Sequence, residues 1–251
     1  MIRALAFLCA LALPAGAEEI VADMSQDRIA ISTDFDGSEI LIFGAIKREE
    51  PQPDASQMAI LVTVAGPRED VTVRRKERRF GIWVNTDAVD VSGAPSFYAV
   101  ASTIPLSRAL TPEEDERWRI TAPRAILAPG MAIMSRDDPA FLDALIRVRT
   151  DSRNYAIADD SVTLRDATLF STEIDLPSDL TEGNYDTRIF LTRDGMVVDS
   201  YATSIFVQKV GLERWIYTLA HEQPLIYSFL SLFIAISAGW GASAVFRYIR
   251  S

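Results

Sequence analysis

Five cationic side chains crowd into six positions: Arg74, Arg75, Lys76, Arg78 and Arg79, with Glu77 among them. Guanidinium groups present rigid forks of N–H donors that grip carboxylate or phosphate oxygens in pairs. Like charges this close repel one another, so the run calls for anions nearby. In an extended strand Arg74, Lys76 and Arg78 share one face with Thr72 and Phe80. Arg75, Glu77 and Arg79 share the other, in phase with Val71 and Val73. The run is therefore a candidate patch for a small anion, a lipid headgroup or an acidic partner loop. The competing reading is a solvated hairpin end whose arginines pair with the protein's own carboxylates, since surface ion pairs are common and individually weak.

Other chemistry is scarce. The only histidine, His221, stands beside Glu222 near the end of the chain, and the only cysteine is Cys9. With Cys9 inside the signal peptide and His221 outside the β domain, a Ser-His-Asp site, a cysteine nucleophile and a zinc site built on several imidazoles are excluded there. His221 reads as an interfacial polar residue, with a pH sensor as the alternative. Thr33 to Glu39 opens like a calcium loop, but glycine stands fourth and Ala45 occupies the twelfth position, so an Asp36-Gly37 turn fits better. Carboxylates are abundant, yet no pair is marked out for glycan cleavage, and no phosphate-binding glycine loop is present. No catalytic, metal or cofactor-binding residue is assigned.

The elements that would carry the basic run are mostly strands. Arg28 to Ser32, Glu39 to Ile46, Met58 to Ala65, Val71 to Arg75, Gly81 to Asn85 and Ser96 to Thr103 are apolar or alternating runs bounded by turn residues. Thr111-Pro112 followed by three acids starts a helix, and Asp138-Pro139 starts another. In the second, Phe141, Leu142, Leu145, Ile146 and Val148 give an apolar stripe of helical period. Strands resume at Leu169 to Leu176, Thr187 to Thr192 and Val197 to Val207, with turns at Glu182 to Tyr185 and Arg193-Asp194-Gly195. Leu180-x-x-Gly-x-Tyr185 is similar to the penultimate strand of immunoglobulin-like modules, where the tyrosine bonds back to the preceding corner. The expected fold is mainly β: immunoglobulin-like β-sandwich modules with a helical insert, followed by one transmembrane helix. Residues 18–104 form a first β region, 105–155 the insert and 156–209 a second β region.

The ends set the address. Arg3, the apolar run Ala4 to Leu13 and Ala15-Gly16-Ala17 read as a signal peptide over residues 1–17. From Leu225 to Phe246 the chain has 22 residues without a charge. As a helix this is ~33 Å, enough to cross a hydrocarbon core. Arg247 and Arg250 in the short tail 247–251 mark a cytoplasmic end. Residues 210–224 form an amphipathic stalk, with Leu212, Trp215, Ile216 and Leu219 on one face and Tyr217 near the headgroups. Inside the span, Ser231, Ala235, Gly239 and Ser243 recur every four residues, a candidate helix-packing face. Residues 18–209 carry 33 acidic and 21 basic side chains, which disfavours nucleic-acid binding.

Four stretches carry a resemblance: Arg68 to Asn85, Pro95 to Ser102, Tyr185 to Gly195 and Ala220 to Tyr227. In them the chain resembles a family of alphaproteobacterial transmembrane proteins. The resemblance implies an inner-membrane protein and brings no catalytic or binding residue with it. The resulting expectation is a non-enzymatic periplasmic accessory protein, held in the lipid bilayer and packing on an integral membrane partner such as a transporter. A small-anion receptor built on Arg74 to Arg79 is the alternative, and a carboxylate-based hydrolase a more distant one.

Overall fold

The computed structural model describes residues 18–31, 35–48, 58–127, 139–210, 216 and 219–249, with side chains to Gly241 except that of Lys209. The signal-peptide reading, Thr33, Asp34, Leu212, Trp215, Tyr217 and Arg250 lie outside them. The chain is mostly β, with helical segments and one apolar C-terminal helix. The first β stretch gives β1 (Glu19–Met24), β2 (Arg28–Ile31), β3 (Ser38–Lys47) and β4 (Met58–Ala65), then β5 (Arg68–Arg79), β6 (Ile82–Pro95) and β7 (Tyr98–Ser102). Four helices follow: α1 (Leu106–Ala109), α2 (Pro112–Trp118), α3 (Ala122–Ile126) and α4 (Pro139–Asp151). The chain then returns to strands β8 (Tyr155–Ala158), β9 (Thr163–Arg165), β10 (Leu169–Leu176), β11 (Gly183–Arg193) and β12 (Met196–Lys209), and ends in α5 (Pro224–Ile249).

Strands from both halves interleave. One sheet runs β1-β3-β10-β9, a second β2-β12-β11-β4-β7-β8, and β5-β6 stand as a two-stranded ribbon. Among the described residues, those up to Ile29 and from Asp36 to Val207 form one compact unit, and those from Ala30 to Phe35 and from Gln208 onward form a second. The strand β4 decides the layering. Seven of its eight residues are buried, so both of its faces need cover. On one face Ala59, Leu61, Val100 and Phe190 join Ala109, Ile120, Ile126 and Leu145 of the helical stretch. The other face carries Ile60, Val62 and Val64, and β10 of the four-stranded sheet lies against β7. That sheet buries Ile40, Ile42, Phe170 and Ile174 and turns Glu39, Glu173 and Asp175 to solvent.

Local signals explain the element ends. Thr111 Oγ1 accepts from Glu114 N at 3.3 Å and caps α2, with Pro112 in its first turn. The Asp194-Gly195 turn has positive φ at both residues, 52° and 78°, as a tight two-residue hairpin demands. Tyr185 is buried and its hydroxyl donates to Thr181 O at 2.9 Å, the corner contact expected from the sequence. Some expectations shift. Gly183 to Tyr185 already belong to β11, because Gly183 pairs with Val207 and closes the ladder there. On α4, Phe141 and Leu145 are buried and Leu142 and Ile146 pack beside them, but Val148 is exposed. The short strands β1, β8 and β9 were not foreseen.

Burial raises the hydroxyl of Tyr98 to about 12, and that of Tyr185 to about 12. Tyr155 moves in the same direction for the same cause. A pKa raised in the folded state means stability that is complete below pH 10 and lost as pH rises through the folded value. The tyrosines should therefore cause no loss in the melting temperature of the detergent-solubilised chain up to about pH 10, and a fall between about pH 10 and 12. Tyr98→Phe combined with Tyr185→Phe should flatten that alkaline limb, while starting from a lower neutral-pH value because two hydrogen bonds of about 1 kcal/mol each are lost. An unchanged alkaline limb in the double variant would refute the assignment.

Candidate functional site

The basic run lies on β5, whose partner β6 turns it into a long arm. The base of the arm is fixed to the body. Val71, Val73 and Val89 pack against the helix-covered core, and Val91 is buried within it. Glu69 pairs with Arg149 of α4, and Arg68 donates to Gly93 O at 2.9 Å and Ala125 O at 3.3 Å. The Arg75 guanidinium sits 4.8 Å over the Phe141 ring. From Arg74 outward every β5 residue is exposed. Six residues at ~3.3 Å each carry the ribbon from there ~20 Å to its turn.

Across the ribbon Arg78 faces Trp83 and Lys76 faces Asn85, while Arg79 faces Ile82, Glu77 faces Val84 and Arg75 faces Asp87. Directly opposed residues share a side, so the five cations divide between the two faces as the alternation dictates. Thr86 is an extra residue where the register shifts between Arg75 and Lys76. Two of the cations have carboxylates close by: Arg75 lies 3.6 Å from Asp87, and Arg79 lies 3.3 Å from Glu77. Among the described residues no ion pair involves Arg74, Lys76 or Arg78. The basic run is thus an exposed stretch of one strand, broken only by Glu77.

The tip corrects the sequence reading in one respect. Phe80 is not a strand residue sharing a face with Arg78; it and Gly81 form the turn, with φ 52° and 87°. Both values are left-handed, the conformation of a two-residue hairpin turn that prefers Asn-Gly or Asp-Gly. A phenylalanine there costs roughly 1–2 kcal/mol relative to a relaxed backbone. Its ring packs on none of the described residues, since Phe80 is 107% exposed. Ile82 and Trp83 are exposed as well. A Cβ on Gly81 would meet no atom within 4 Å, so the tip stands clear of the body. The apolar tip is a feature that the sequence reading missed; the only signal for it was Phe80-Gly81-Ile82-Trp83 following the cations.

A second constellation emerges only from pairing. Glu39 and Asp175 are opposed across β3 and β10, and Glu173 stands next along the same solvent face. Charge repulsion from Glu173, then a hydrogen bond to it, raises the Glu39 carboxyl above the usual carboxylate range. Two shallow, open grooves flank them. One of about 1130 Å³ includes Asp36, Glu39, Arg153 and Asp179, and one of about 480 Å³ includes Glu39, Arg165 and Glu173. Among the described residues, no cluster of histidine, cysteine or carboxylate side chains could hold a metal ion. Gly37, just before β3, has φ 117°, and a Cβ there would lie 2.8 Å from Leu176 O. His221 is exposed in the short helical stretch before α5. Of the candidate helix-packing face, Ser231, Ala235 and Gly239 are exposed on α5, and Ser243 follows within the same helix.

A family model described as Putative transmembrane protein (Alph_Pro_TM) matches residues 19–248. No curated protein matches the sequence. Similar solved structures include the partial N-terminal region of the enterococcal surface protein, at 10% identity and a TM-score of 0.28, covering 77% of this chain and 43% of that one. The N-terminal domain of the Streptococcus gordonii adhesin Sgo0707 is similar at 8% identity and a TM-score of 0.28, covering 75% of this chain and 32% of that one. The chain thus spans less than half the length of either.

The raised Glu39 carboxyl has a definite pH signature. The folded chain holds this proton more tightly than the unfolded chain does, so stability decreases as pH rises through the carboxylate range toward neutrality. Glu173→Gln removes the main repulsion. It should raise the melting temperature at pH 7 slightly, and the difference from the natural chain should vanish once the pH falls below the ordinary carboxylate range. A Glu173→Gln variant that melts lower than the natural chain at pH 7 would show that the pair is stabilising instead.

Proposed function

We propose, from the premise that the chain belongs to the Putative transmembrane protein family, that it is a membrane-anchored accessory protein whose single apolar helix packs on an integral membrane partner such as a transporter. In this reading it acts by binding and not by catalysis. The observation that carries it is α5. The segment Pro224–Gly241 is long and apolar enough to cross a membrane, and none of it is buried within the chain. Ser231, Ala235 and Gly239 make a stripe of small side chains along it, and a Cβ at Gly239 would meet no atom within 4 Å. The spacing of four residues puts them ~6 Å apart along the axis. Small side chains let a second backbone approach closely, and such packing drives association where lipid removes the hydrophobic force between helices. Ser243 continues the spacing. Gly239→Leu fills the stripe while keeping the helix apolar. It should leave the protein in the membrane and reduce the yield of the co-purified partner several-fold, as should replacement of the whole span by poly-leucine. Natural yield in both variants would reduce α5 to a tether.

The β domain is assigned to the periplasmic side of an inner membrane and the C-terminus to the cytoplasm. Arg247 and Arg250 follow the apolar stretch, and residues 1–17 have the pattern of an export signal. A cysteine placed in the Asp194-Gly195 turn should react with a membrane-impermeant thiol reagent in spheroplasts, and one placed after Arg250 should not. The reverse pattern would invert the orientation.

A small-anion receptor is the second reading, favoured by Arg74, Lys76 and Arg78, which form no ion pair among the described residues. Calorimetric titration of the detergent-solubilised chain with phosphate and sulfate separates it from the first. Saturable heat that disappears in Arg74→Ala with Arg78→Ala supports the receptor, and no heat rejects it.

A further inference from the structure

We propose that the tip of the β5–β6 arm is a docking element for a bilayer bearing anionic headgroups. The arm ends in three exposed apolar side chains, Phe80, Ile82 and Trp83, at 107%, 64% and 68% exposure. They do not form a flat patch. Phe80 sits at the apex, Ile82 points to one face of the ribbon and Trp83 to the other. A rigid protein surface would have to enclose such a finger on three sides, whereas fluid lipid conforms to it. The first two rungs each pair an apolar residue with an arginine: Ile82 with Arg79, and Trp83 with Arg78. The apolar run at the tip ends at Val84, and polar Asn85, Thr86 and Asp87 follow, while cations continue back to Arg74. This order matches an interface in which aromatic and aliphatic groups enter ~5–10 Å below the headgroups and guanidinium groups reach up to the phosphates. Charge complementarity is specific to the arm, because the domain around it is acidic. The strained φ of Phe80 points the same way: a bulky side chain kept where asparagine is favoured, with no contact to reward it, serves something outside the chain. The inference does not depend on what α5 packs against.

The test uses the full chain in nanodiscs, with its four tryptophans replaced by 5-fluorotryptophan. The Trp83 fluorine resonance is identified by its loss in Trp83→Phe. Paramagnetic doxyl lipid is carried first in the disc and then in added vesicles, so that a bilayer is offered on either side. With phosphatidylglycerol present, the Trp83 line should broaden several-fold. With phosphatidylcholine alone, in Phe80→Asn, and in Arg78→Ala with Arg79→Ala, the broadening should be largely lost. Asparagine tolerates the left-handed turn, so Phe80→Asn should keep or raise the melting temperature, and the Trp118 resonance should stay in place. A Trp83 line that stays sharp in both anionic arrangements, while Trp240 of α5 broadens, overturns the proposal. So does a Trp83 shift produced by inorganic phosphate without lipid broadening, which would mark a free-anion site. Contact seen only in native membranes and not in pure lipid would mark a protein partner, and equally overturns it.

Discussion

The fold depends on β4 being apolar on both faces. A strand with one polar face can border water, but β4 buries seven of eight residues and cannot. Its two neighbours, β7 and β11, are largely buried as well. The four-stranded sheet supplies cover on one side, and the helical stretch between β7 and β8 supplies it on the other. That requirement explains why a mostly β chain carries helices at all. It also explains the parallel β7–β8 pair, since a long covering connection is what a parallel return needs. Polar groups follow the same logic: Tyr98 reaches Ile120 O at 2.6 Å, and Arg188 binds Trp118 O and Arg119 O at 2.8 and 3.0 Å, which satisfies carbonyls where short helices end.

The arm is a by-product of that cover that continues past it. While β5 and β6 lie against the helices they alternate like any half-buried ribbon, with Val71, Val73, Val89 and Val91 inward and Thr72 and Asp90 outward. Thr72 Oγ1 and Asp90 Oδ1 are 2.6 Å apart. Beyond Val73 the inward valines of β5 stop and cations begin, and every β5 residue from Arg74 on is exposed. An isolated two-stranded ribbon is marginal in water. This one is held at its base by the Glu69–Arg149 pair and the Arg75–Phe141 contact. Charge is segregated as well: an acidic domain places five cations within six consecutive positions of one projecting strand.

The C-terminal helix obeys another solvent. Over Pro224–Gly241 it is apolar enough to cross a membrane, and two serine hydroxyls turn back onto their own helix: Ser228 donates to Pro224 O at 2.7 Å, and Ser231 to Ser228 O at 3.0 Å. Such internal satisfaction is what a segment without water partners must achieve. Family membership over residues 19–248 joins this helix and the β domain in one kind of protein.

The apolar C-terminal segment, the basic run, the cap of α2, the Asp194-Gly195 turn and the Tyr185 corner are all legible in the amino-acid sequence. Each is written in side chains a few residues apart, so composition, period and turn chemistry suffice. Tertiary structure alone decided the rest. The two β regions proved to share both sheets, because β3 with β10 and β4 with β11 pair across more than a hundred residues, and pairing partners leave no local mark. The closeness of Glu39 to Glu173 has the same origin. The strands β1, β8 and β9 are short segments whose place comes from a neighbour's open edge more than from their own propensity. The arm was half legible: its alternation placed the arginines on their correct faces, but Phe80-Gly81 lacks the asparagine or aspartate that announces a tight hairpin. Only the pairing of Arg79 with Ile82 turned two separate strands into a projecting finger and brought its aromatic tip into view.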